Sequence, residues 1–229
     1  MMLAQHSAAV QRDTKYRTRN RTIRPEVHRP DGVLWSLLQG QARTSRSAAT
    51  AFYLMIGDPD HMPDRLDLLH VLQNDAASRT PGGVSHRTAI NRDFREMNTS
   101  FTMIVDNVVL AATTLMNSGC TAPRSDLDRL ASILIASTIE AEEMVSLLQH
   151  GLCTTRLSPV IAGILALDEH GARVVNELTR PLATDSTRRQ VLHTEPIAVY
   201  TRVAQAISLC GVIAASVKQM TVKYPTLAT

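Results

Sequence analysis

The chain carries eight histidines and three cysteines, residue types from which metal sites and nucleophilic centres are built, so their spacing is tested first. His150 and Cys153 stand three apart, a separation that can bring two ligands together on one turn of helix. Gly151 falls between them as a stop signal, and no second pair follows to complete the four ligands of structural zinc. The di-iron pattern of helical bundles needs Glu-x-x-His on two helices. Glu140, Glu142 and Glu143 belong to no such motif and are expected to face solvent or a partner's arginine. Asp58, Asp60 and His61 lie in a proline-punctuated segment, where acidic side chains commonly bond the backbone of a turn. Cys120, Cys153 and Cys210 form an odd set without a CxxC spacing, which disfavours a disulfide framework.

Phosphate-binding loops fare no better. Gly82-Gly83 lacks the lysine and the spacing of a P-loop, and no Gly-x-Gly-x-x-Gly follows a strand. Serine, cysteine and histidine are scattered without a nucleophile-elbow signature. No catalytic residue, metal ligand, cofactor or small-molecule substrate is assigned, and the chain is not expected to be an enzyme.

One segment does rise above background. Residues 12 to 29 hold Arg12, Lys15, Arg17, Arg19, Arg21, Arg24 and Arg29 against only Asp13 and Glu26. The formal net charge of the whole chain is +3, so the rest is slightly acidic and this arm alone makes the protein basic. Such asymmetry is expected where a tail meets a polyanion. Arg17, Arg19 and Arg21 alternate with Thr18 and Asn20, presenting ionic and neutral donors along a backbone that can follow phosphates. Tyr16 adds a ring on which a base can stack. Further along, Arg92 and Arg95 fall off the apolar seam of their helix and join the nucleic-acid-binding set; Arg43, Arg46, Arg87 and the pair Arg188-Arg189 read as ordinary surface charge.

The elements that must position these residues are helices. At 229 residues and 44% hydrophobic the chain can bury a substantial core, and with aromatics at 3% that core must be aliphatic, which suits close helix packing. Residues 1–30, with Pro25 and Pro30, read as a flexible arm. A short-helix subdomain is expected over 31–83. In it Asp31 caps a first helix stopped by Gly40, Ser47 to Ile56 forms a second closed by Gly57, and Asp64 caps a third with Leu66, Leu69, Val71 and Leu72 apolar. Thr80-Pro81-Gly82-Gly83 punctuates the chain.

A long-helix bundle is expected over 84–229. Ile90, Phe94, Met97, Phe101, Ile104, Val108, Ala111 and Leu115 repeat every ~3.5 residues on one helix ending near Gly119. Ser125 opens the next, through Leu127, Leu130, Leu134, Ala141, Val145 and Leu148. Ser158-Pro159 opens a third, which Gly171 ends or kinks, and a last helix from Thr194 carries the small-residue face of Ala204, Gly211 and Ala214. The longest apolar stretch, Met103 to Met116, contains Asp106 and Asn107 and falls short of the ~20 residues that span a bilayer. With no signal-peptide pattern, the expected location is intracellular or within a virion.

The fold class that follows is all-α, a multi-helix bundle with an extended basic arm. This layout resembles that of small viral nucleocapsid or coat proteins, without matching any family's motif. A compact helical body with a basic arm suits a homo-oligomer that packages nucleic acid, most simply RNA, with the body making subunit contacts and the arm neutralising charge. Two alternatives remain open: a viral matrix-like assembly protein on an acidic membrane surface, and a helical enzyme or ligand-binding bundle with a site assembled only in space.

Overall fold

A computed structural model describes residues 32–79, 88–118, 124–149, 154–184 and 194–224. Among them 97% are helical and no strand occurs. The α-helices are α1 (Gly32–Gly57), α2 (Met62–Ser78), α3 (Ala89–Ser118), α4 (Arg124–Gln149), α5 (Thr154–Thr184) and α6 (Thr194–Lys223), with a single 3-10 turn, Pro59–His61, between the first two. Hydrophobic periodicity accounts for the long elements: all eight seam positions of α3, from Ile90 to Leu115, are buried, as are Leu127, Leu130, Leu134, Ala141, Val145 and Leu148 of α4. The buried residues of α1 and α2 and those of α3 to α6 form one contiguous cluster.

Side-chain contacts fix how the helices run. Gln39 Nε2 donates to Gln149 Oε1 at 2.6 Å, and Arg46 reaches Glu142 at 3.0 Å, so α1 and α4 are antiparallel. Arg202 meets Asn107 and Lys223 meets Asp93, which sets α6 antiparallel to α3. Trp35 stacks edge-on against Phe94, ring centroids 4.7 Å apart, joining the start of α1 to the start of α3. The beginning of α1, the beginning of α3 and the end of α6 therefore share one end of the bundle. A polar layer ties α1 to its neighbours beneath that end. Gln41 Nε2 donates to Ala76 O at 2.7 Å and to Thr102 Oγ1 at 3.2 Å, and Ser45 Oγ donates to Phe101 O at 3.1 Å.

Several glycine and proline signals have a different meaning in the fold from the one local rules give them. Gly40 does not stop a helix; α1 passes straight through it. A Cβ there would stand 2.6 Å from Arg79 Nη1 and 3.2 Å from Cζ. The missing side chain leaves room for a guanidinium that pairs with Asp75 at 2.9 Å and donates to Thr44 Oγ1 at 3.2 Å. The glycine costs about 1 kcal/mol of helix propensity and gains this brace between α1 and α2. Likewise Gly171 does not end α5, and a Cβ on it would press Ile207 Cγ2 at 3.1 Å. Helix α5 begins at Thr154, before Ser158-Pro159, and α4 begins at Arg124, before Ser125. His61 rather than Asp64 stands at the N-cap of α2, and Val71 is exposed. Asp31, Thr80 to Gly83 and Gly119 lie outside the described residues.

The small-residue face of α6 works as its composition requires. At Gly211 an added Cβ would meet the Asp168 side chain of α5, with Cγ at 2.9 Å and Cβ at 3.1 Å as well as Oδ2. Burial pushes the Asp168 carboxyl above its ordinary range, while its hydrogen bond with Ser208 pulls it the other way. Gly211→Val is expected to lower stability by about 1–3 kcal/mol, the usual cost of overpacking. Thermal denaturation followed by circular dichroism checks this, and an unchanged midpoint would mean that α5 and α6 do not depend on the close approach.

The expectation that no segment is long and apolar enough for a membrane needs correction. Ala89–Asn117 and Pro196–Lys223 both reach that length and composition, and about half of each apolar window is buried in the bundle. Asp106 and Asn107 break the apolar run along the sequence, but polar residues this sparse do not interrupt a helix whose remaining faces pack on neighbours. Helices α3 and α6 make the most extensive helix pair, and each supplies the apolar surface the other covers.

Candidate nucleic-acid interface

Arg12, Lys15, Tyr16, Arg17, Arg19, Arg21, Arg24 and Arg29 lie outside the described residues, as do Arg87, Arg188 and Arg189. Their chemistry rests on the sequence, but their attachment is set by covalent connection: Arg29 precedes Gly32, the first residue of α1, by three positions. Trp35 lies within the first turn of that helix and packs on Phe94. The arm thus joins the body beside the first turns of α3.

Arg92 and Arg95 occupy those turns. Phe94 between them points into the core, so the geometry of a helix turns the arginines outward, with Arg92 exposed and Arg95 half-buried. They line a surface hollow of about 540 Å3 with Glu96, Thr99 and Ser100. Arg95 Nε donates to Asn91 O at 3.3 Å, and Arg92 makes no ion pair among the described residues. The adjacent carboxylate, Asp93, is engaged elsewhere: Lys223 Nζ approaches it at 3.0 Å and Tyr224 donates its hydroxyl at 2.9 Å. The hydrogen bond with Asp93 raises the Lys223 pKa; burial, then the same carboxylate, raises that of Tyr224. Glu96 is the acid that lines the hollow. Its carboxylate offsets one of the two arginines.

Other candidates divide cleanly. Arg43 and Arg46, read as loose surface charge, both engage Glu142 of α4, at 3.6 and 3.0 Å. Glu142 thereby meets arginines of its own chain. Arg65 on α2 escaped the sequence reading because Asp64 and Asp67 flank it and make the local charge acidic; only helical geometry separates it from them. His61 Nδ1 lies 2.8 Å from Asp58 Oδ2 in the exposed turn before α2, the local pairing typical of such turns. No group of three or more His, Cys, Asp or Glu residues is placed to hold a metal ion among the described residues; His150 and Cys153 lie outside them. Cys210 is fully buried, and burial followed by the Asp168 charge pushes its thiol up to about 12. A thiol so protonated is a poor nucleophile.

Set against known protein families and curated proteins, the sequence matches none.

Proposed function

We propose that this protein is a self-assembling structural protein that binds and packages nucleic acid, most simply RNA, with its basic arm neutralising phosphates. The observation that carries the reading is the convergence at one end of the bundle. The arm's attachment point, Arg92 and Arg95 lie together there, while Asp93 is taken up by Lys223 and Tyr224. A strand engaged by residues 12–29 would thus find further cations on the body, and backbone contacts of this kind supply sequence-independent affinity. Self-association is supported by Met103 and Leu110, exposed two turns apart on α3, which offer an apolar stripe to a second copy.

A second reading, assembly on an acidic membrane, has its own support. Val33 at the start of α1 and Val222 beside Lys223 are 56% and 80% exposed at the same end of the bundle, and apolar side chains interleaved with cations suit an anionic lipid surface. Purification with and without nuclease, followed by absorbance ratio and light scattering, tests the leading reading. The untreated protein is expected to carry nucleic acid and to form particles that shrink on digestion. A small, nucleic-acid-free species under both conditions would remove packaging and leave the membrane reading to be tested with acidic vesicles.

A further inference from the structure

Arginines that are far apart in sequence converge on a second face of the bundle. Arg43 and Arg46 on α1 and Arg65 on α2 line a hollow of about 430 Å3 between those helices, together with Leu54 and Leu68. One carboxylate serves the group, Glu142, at 3.6 Å from Arg43 and 3.0 Å from Arg46. Arg65 has no hydrogen-bond or ion-pair partner among the described residues, and its Nε is shut away from solvent without an acceptor. Three guanidiniums facing one carboxylate leave an excess of positive charge where a donor is already desolvated. An anion seated there would meet the part of the Arg65 guanidinium that stays open to the hollow, beside Arg43 and Arg46, and form charge-assisted bonds.

The hollow continues along the helices. A neighbouring one of about 530 Å3 shares Arg43 and Ser47 with it and follows α1 back to Ser36 and Leu37. Leu37 lies five residues into α1 from Gly32, a rise of about 7.5 Å at ~1.5 Å per residue. From Leu37 to Leu54 the groove is about 25 Å long on the same measure, room for several nucleotides at ~3.4 Å each along a stacked strand.

We propose that the α1–α2 groove is a binding site for the backbone of single-stranded nucleic acid, in which Arg43, Arg46 and Arg65 contact phosphates and Leu54 and Leu68 lie against the bases. The assignment rests on the nucleic-acid reading above and extends it from the arm to the body. A concave groove favours a strand over a bilayer, whose flat surface does not enter it. The arm of a neighbouring copy is disfavoured as occupant by charge, since it is as basic as the groove.

The test is fluorescence anisotropy of a labelled oligouridine against full-length protein at several salt concentrations, with each variant's melting curve recorded. Arg65→Glu is expected to weaken binding about tenfold and to flatten the salt slope by about 1. Arg43→Ala, at a side chain 72% exposed, is expected to weaken it about threefold with an unchanged melting curve, and it decides the matter if Arg65→Glu fails to fold. Glu142→Gln frees two arginines and is expected to tighten binding about threefold, whereas an ion pair that serves only structure would give no gain. Unchanged affinity and slope in the folded arginine variants overturn the groove, and an arm deletion that still lowers affinity would then preserve the arm's role alone. Weakening by the groove variants with a silent arm deletion sustains the groove and removes the arm. Loss of phosphatidylserine-vesicle binding in Arg65→Glu, with oligouridine binding intact, overturns the proposal in favour of a membrane.

Discussion

Deleting residues 12–29 is expected to weaken binding to single-stranded RNA and to flatten log K against log salt by roughly 3 units, while the helical body stays folded. The magnitude follows from counterion release, at about −0.7 per phosphate neutralised on a single strand. The segment carries seven basic side chains against two acidic ones, so about five phosphates are left to counterions when it is removed. The body is expected to survive because its core begins at Leu34 and its helices bond to one another without the arm. Titrations of both forms at several salt concentrations, with circular dichroism and particle size recorded alongside, measure both parts. If the arm only tethers a neighbouring subunit, particle size changes while affinity and slope do not. If the full-length protein shows no salt-sensitive binding at all, the packaging reading fails.

Phe101→Asp is expected to be the most destructive single substitution considered. Phe101 is fully buried in the middle of α3, and its carbonyl accepts the Ser45 hydroxyl from α1 at 3.1 Å. The variant loses the ring's packing and places a carboxylate in a site built for an aromatic side chain. Truncating a buried Phe alone costs about 3–5 kcal/mol, and an unpaired buried charge adds to that. Against a typical stability of about 5–15 kcal/mol, the result should be an unfolded or aggregating protein. Expression yield and a denaturant melt provide the check, and a soluble variant with the wild-type midpoint would refute the burial of this seam.

What the sequence determined by itself was everything that depends on neighbours along the chain. A period of 3.5 or 3.6 residues is a local property, so the all-α fold, the α3 seam from Ile90 to Leu115 and the buried face of α4 were legible before any contact was known. The charge of the arm is likewise a sum over consecutive residues. Where the local signal was ambiguous, only tertiary structure decided. A glycine reads the same whether it ends a helix or makes way for a neighbour; at Gly40 the neighbour is Arg79 and at Gly171 it is Ile207, so both helices continue. Helix starts at Arg124 and Thr154 were misplaced by two to five residues because Ser and Pro are tolerated within the first turns as well as at the cap. The grouping of Arg43, Arg46, Arg65 and Glu142 was beyond sequence reasoning altogether, since Glu142 lies 96 positions from Arg46. Which surface charges meet is set by the rotation of each helix about its axis, and that rotation is fixed by core packing on the opposite face.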